Sequence, residues 1–183
     1  MLLKKIMTAT VLGIVTVVAF GCGESGSGTG GRIRIEALDR PPAPGVDNVW
    51  VTVETMMLHS SEAGWDTIPL VEANTRIDFL ELVNGVTAML VDAPLAAGTY
   101  SQLRIIIADS SEIVVDGETF DLVVPSGTET GAKLNMSFTV ESDELVEVML
   151  DLDLTRSIHK VGNRYFLKPV FKTWKKVLSG TIA

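Results

Sequence analysis

The sequence predicts an all-β domain, a two-sheet Greek-key sandwich with at most one short helix. Three observations carry this expectation. "KLNMSFTV" alternates Leu134, Met136, Phe138 and Val140 against Lys133, Asn135, Ser137 and Thr139, the period of two that a half-buried strand needs. "VEVMLDLDL" sets Val146, Val148, Leu150, Leu152 and Leu154 against Glu147, Met149, Asp151 and Asp153 in the same way. Turn signals recur at short intervals along the rest of the chain, which spaces about eight to ten short strands.

Along the chain, "NVWVTVETMMLHS" and "GWDTIPL" read first, as a hairpin turning around Ser60 to Ala63. Val49, Val51 and Val53 share one face, and continuing that phase would put His59 in the core and Leu58 outside. Burying the leucine instead is favoured by roughly 2 kcal/mol, and a buried histidine would also have to find polar partners. A bulge absorbs one residue and re-aims the side chains after it. The expectation is therefore a bulge at Glu54-Thr55, with Met56 and Leu58 inward and His59 outward near the loop that leads to Trp65.

"NTRIDFLELVNG" is the one helical candidate, with Thr75 as cap, Asp78 three residues on and Asn84-Gly85 as the end; an extended segment is the alternative. In "PLAAGTYSQLRI", Leu95, Gly98 and Tyr100 fit the tyrosine corner of Ig-like and transthyretin-like sandwiches. "SQLRIIIADS" is β-branched and reads as a buried strand. "SEIVVDGETFDLVV" reads as a hairpin on Asp116-Gly117, and the two alternating runs "KLNMSFTV" and "VEVMLDLDL" as a hairpin closed by "ESDE". "RYFLKPVFKTW" reads as a long final strand, at an edge or bulged at Pro169, which has no N–H to give a ladder.

The N-terminus reads as a targeting segment. Lys4 and Lys5 precede an uncharged apolar run from Ile6 to Phe20, which is the length of a signal-peptide core and short of a membrane span. The run ends at Ala19-Phe20-Gly21-Cys22, which resembles the lipobox of bacterial lipoproteins and contains the only cysteine. That resemblance implies a diacylglycerol on the Cys22 sulfur, cleavage before it, and acylation of the new amino terminus. Several acyl chains at ~0.8 kcal/mol per buried methylene anchor a protein stably. The expected organisation is a signal peptide over residues 1–21, a lipidated Cys22 with a Gly/Ser tether over 22–31, and one sandwich domain over 32–183. Gly23 stands where an Asp tends to retain a lipoprotein in the inner membrane, so the expected location is the outer membrane, on its periplasmic side or at the cell surface.

Several stretches together resemble one family: "VWVTVETMMLHS", "GW", "LVNG", "APLAAGTYSQLRI", "DG", "VPSGTETGAKL", "DLDLTRSI" and "RYFLKPVFK", in order from Val49 to Lys172. The sequence looks like the bacterial lipoprotein family known as domain of unknown function 4382. The resemblance implies a lipid-anchored extracytoplasmic β-sandwich and no particular activity.

Charge narrows the partners. Removing Lys4 and Lys5 from 15 basic residues leaves 13 against 23 acidic ones, a mature charge of about −10. That disfavours nucleic acid and an anionic bilayer surface as partners. No phosphate-cradling loop, nucleophile elbow, or paired Cys or His at metal spacing is present. No cofactor and no catalytic residue is therefore expected. Asp151 and Asp153 are the weak metal candidates, two apart on one strand face with Lys133 and Lys168 as expected neighbours. Trp50, His59 and Trp65 are the candidate ligand-binding residues, because a tryptophan on an outer sheet face binds glycan or protein. Trp50 is out of phase with the valines around it, unless a loop such as Pro41 to Pro44 covers it. The expected function is a lipid-anchored binding or structural module without catalysis, its partners membrane lipid through Cys22 and an envelope protein or glycan. A cation-dependent adhesin and a glycan-active enzyme are the alternatives.

Overall fold

The computed structural model describes residues 30–39, 45–125 and 130–179. Cys22 and the Pro41 to Pro44 loop lie outside them. The strands are β1 (Gly30–Asp39), β2 (Val46–Ser60), β3 (Gly64–Ile68), β4 (Thr75–Asp78), β5 (Ala88–Ala96), β6 (Gly98–Ile107) and β7 (Glu112–Val115). They continue as β8 (Glu118–Val123), β9 (Ala132–Val140), β10 (Glu144–Leu152), β11 (Ile158–Val161), β12 (Arg164–Leu167) and β13 (Phe171–Ser179). A single helical turn, α1 (Leu154–Ser157), follows β10. Two mixed sheets enclose one apolar core. The smaller sheet has the order β13-β10-β1-β5, with β1 parallel to β10. On its outer side Asp92 lies between Arg32 and Arg34, and the hydrogen bond from Arg32 holds its carboxyl below the usual carboxylate range.

The larger sheet is built around β2. Its residues 50–53 pair β4 on one edge, and β3 continues that edge opposite residues 56–60. On the other edge β7 pairs residues 46–50 and β6 pairs residues 53–60. The valines at 49, 51 and 53 and then Met56 and Leu58 are buried, while Glu54 is exposed. The register against β6 slips between Val53 and Thr55, so the expected bulge is present. Deleting Glu54 joins Val53 to Thr55 and keeps every other β2 side chain on its present face. That variant is expected to fold with a melting temperature within about 5 °C of wild type. Loss of its cooperative unfolding transition would show that the bulge itself, and not the phase it restores, holds the sheet together.

The Asp116-Gly117 hairpin is also present, with φ of 50° and 78° at its two turn residues, the left-handed backbone that such a turn requires. Tyr100 Oη donates to the Ala96 carbonyl at 2.9 Å, which completes the tyrosine corner. Burial pushes the Tyr100 hydroxyl above its ordinary pKa, so it stays a donor.

Four expectations are corrected. First, β9 and β10 are not a hairpin: β9 pairs β6 in the larger sheet and β10 pairs β1 and β13 in the smaller. Their inward rows, Phe138 and Val140 against Val146 and Val148, face across the core. Alternation reveals a buried face but not which sheet it belongs to. Second, "RYFLKPVFKTW" is not one strand. Pro169 sits in the break where the chain leaves β12 in the larger sheet and enters β13 in the smaller. Third, the helical candidate is extended over Thr75–Asp78 and then makes one 3-10 turn, Phe79–Glu81, capped by Asp78 rather than Thr75. Fourth, Gly30 and Gly31, expected in the tether, belong to a strand. Gly30 and Gly31 open β1, and a side chain at Gly31 would meet the Glu144 carbonyl, so this glycine serves close packing and not flexibility.

Candidate functional site

The bulge at Glu54 determines which side chains the outer face of the larger sheet presents. Downstream of it, β2 turns Met57 and His59 outward, and pairing sets them into two rows across β3, β2, β6 and β9. One row reads Trp65, His59, Gln102 and Asn135; the next reads Thr67, Met57, Arg104 and Lys133. Directly paired residues share a face and stand about 5 Å apart at Cβ. His59 and Trp65 meet edge to face, with ring centroids 5.1 Å apart. His59 Nδ1 is 3.0 Å from Ser101 Oγ, and Gln102 Nε2 donates to Asn135 Oδ1 at 3.0 Å. The Arg104 guanidinium reaches past β2 and lies 4.1 Å from the centre of the Trp65 ring. His59, Trp65, Gln102 and Arg104 are half-buried, Asn135 and Lys133 exposed. This row ends where the chain turns at Ser60–Gly64. A groove of about 210 Å³ opens there between Glu62, Asp66 and Pro69 on one side and Pro94 to Thr99 on the other.

Trp50 occupies the same outer face but not the same site. Nine residues of strand, about 30 Å at 3.3 Å per residue, separate it from His59. Its ring lies under the Arg76 guanidinium at 4.8 Å, and Arg76 in turn pairs with Glu112. The structure therefore brings His59 and Trp65 together and leaves Trp50 apart.

The sequence profile of one family, described as Domain of unknown function (DUF4382), matches residues 30–169. The chain belongs to this family. Neither a curated protein nor a solved structure matches it. The matched span of the DUF4382 domain opens at the first residue of β1 and closes in the break between β12 and β13. It contains the whole four-strand face of β3, β2, β6 and β9.

In this DUF4382 chain the two aspartates proposed from spacing do different work. β10 ends at Leu152, so Asp153 leaves the strand. It caps α1 by accepting from the Arg156 N–H at 3.2 Å, and lies 3.6 Å from Lys172 Nζ. Asp151 is fully buried on β10, opposite Lys172 of β13. The neighbouring lysine is thus Lys172 and not the expected Lys133, which belongs to the outer face of the other sheet. Among the described residues no three of His, Cys, Asp or Glu gather as a metal group. Arg104 was not legible as a site residue, because it is a lone charge inside "SQLRIII". The available signal was phase: Leu103 and Ile105 point inward, so Arg104 must point out beside Met57 and His59.

Proposed function

We propose that this DUF4382 chain is a lipid-anchored module of the cell envelope that binds through the β3-β2-β6-β9 face and performs no catalysis. The anchor reading rests on the Ala19-Phe20-Gly21-Cys22 motif behind a charged and then apolar leader. The observation that carries the binding reading is the Trp65–His59–Arg104 cluster. It stacks aromatic and cationic groups on an outer sheet surface, where such groups supply contact area and direction to a partner. Its position suits an anchored protein. Gly30, where β1 begins, pairs Ala96, and Ala96 accepts from Tyr100 beside the β2–β3 turn. Gly30 therefore stands at the end of the sandwich where the row from Trp65 to Asn135 lies, and this supports an anchor on the chain before it.

Two measurements test this reading. In a diderm bacterial host grown with labelled palmitate, the wild-type chain is expected to carry label, and Cys22→Ser to remain as an unlabelled, uncut precursor. Labelling or cleavage of that variant would remove the anchor. For binding, Trp65→Ala is expected to lower the cross-linking of the anchored chain to other envelope components several-fold, since a well-seated tryptophan is worth about 1.4 kcal/mol or more. Equal cross-linking would remove this face as the binding surface.

A further inference from the structure

The outer face of the larger sheet carries two tryptophan–arginine stacks, and they differ in one respect. At Trp50 the stacked guanidinium of Arg76 is completed by a carboxylate, that of Glu112. At Trp65 the stacked guanidinium of Arg104 has no carboxylate within ion-pair distance among the described residues. Its neighbour across the strand pair is Lys133, another cation. Like charges directly opposite each other destabilise a sheet. Arg104 Nε is also buried without a hydrogen-bond partner among the described residues, and an unpaired buried donor is costly. Both costs fall on one point of a chain whose net charge is −8.

We propose that the Arg104–Lys133 pair is a receptor for the carboxylate of an acidic sugar. A carboxylate is planar and takes two parallel N–H bonds from a guanidinium, with the ammonium of Lys133 as a second charge. It would relieve the repulsion between the two cations. The neighbouring groups favour a sugar over an acidic peptide. Gln102, Asn135, Ser101 and His59 offer amide, hydroxyl and imidazole groups within one row of Arg104, matched to the hydroxyls of a pyranose ring. This inference rests on the reading of the face as a binding surface and adds the chemistry of its ligand.

The test is titration of the full chain in detergent with hexagalacturonate, its neutral methyl ester, and poly-L-glutamate. Hexagalacturonate is expected to bind, with affinity falling as salt rises. The methyl ester is expected to bind at least about tenfold more weakly, the value of one charge-assisted bond pair. Arg104→Gln is expected to weaken binding about tenfold or more, and Lys133→Gln about threefold to tenfold. Arg76→Gln should leave binding unchanged, because its guanidinium already belongs to Glu112. Lys133 is exposed, so its variant keeps the test decisive if Arg104→Gln does not fold. Equal affinity for acid and ester, or affinity unchanged in Lys133→Gln, would overturn the proposal. So would binding of poly-L-glutamate with no binding of the hexauronate, which would assign the pair to an acidic peptide. Envelope cross-linking lost in Trp65→Ala, without uronate affinity, would sink the sugar acid and leave the binding face standing. Cross-linking unchanged in Trp65→Ala would sink the face.

Discussion

Asp78→Ala is expected to lower the melting temperature of the domain by about 10 °C. The carboxylate is buried where β4 ends, with 4% of its surface exposed. Its Oδ1 accepts from the Val49 N–H at 3.1 Å and from the Leu80 N–H at 3.0 Å, and its Oδ2 accepts from Asn48 Nδ2. It thereby ties β2 to β4 and caps the 3-10 turn. Alanine leaves two backbone donors and one amide without their acceptor. At about 1–3 kcal/mol for each unsatisfied buried group, less the part that water recovers, the loss is about 3–5 kcal/mol. For a domain of this size each kcal/mol shifts the midpoint by about 2–4 °C. Asp78→Asn keeps the acceptor for the two N–H groups but sets an amide against the amide of Asn48. Its loss should be smaller, about 1 kcal/mol. Thermal melts of the three proteins check the order. An alanine variant within about 2 °C of wild type would mean that these bonds hold nothing that solvent does not replace.

Leu58→Ala is expected to cost about 2–5 kcal/mol, the range for truncating a fully buried leucine. Leu58 is 1% exposed between the sheets, and its cross-strand neighbour Leu103 is fully buried. Met57, one residue before it, lies half-buried on the outer face, and Met57→Ala is expected to cost about 1 kcal/mol or less. The contrast between adjacent residues follows from the bulge at Glu54 alone. Chemical denaturation of the pair measures it directly, and a larger loss for Met57 would place the phase of β2 on the wrong side.

Much of the fold was legible because it is written in local alternation and turn chemistry. The phase fault after Val53 could be read from energetics, since a strand that must choose between burying Leu58 and His59 buries the leucine. The Asp116-Gly117 turn and the tyrosine corner were legible because each depends on two or three residues at fixed spacing. Sheet membership was not. Met136, Phe138 and Val140 look the same in sequence whether the next strand lies beside them or across the core, and the polar "ESDE" allows either path. Asp78 was legible only as the residue three on from a Thr75 cap, and not as the cap itself or as a tie between strands, because Asn48 and Val49 reach it only through pairing 30 and 29 residues apart. The site was half legible for the same reason. His59 and Trp65 belong to one hairpin, whereas Arg104 and Lys133 join them from strands that close only in three dimensions.

The placement of β1 carries a mechanical consequence. The first strand is held along both of its edges, by eight register pairs to β10 and eight to β5. If Cys22 is fixed in a bilayer and a partner is held elsewhere on the domain, tension enters at Gly30 and runs along the axis of β1. It then loads both ladders lengthwise, so the bonds must slip together instead of opening one after another from an end. An edge strand such as β13, attached on one side only, would carry the same pull on one ladder instead of two. If the anchor is attached there, the doubly held strand suits the domain to remaining folded while it is pulled.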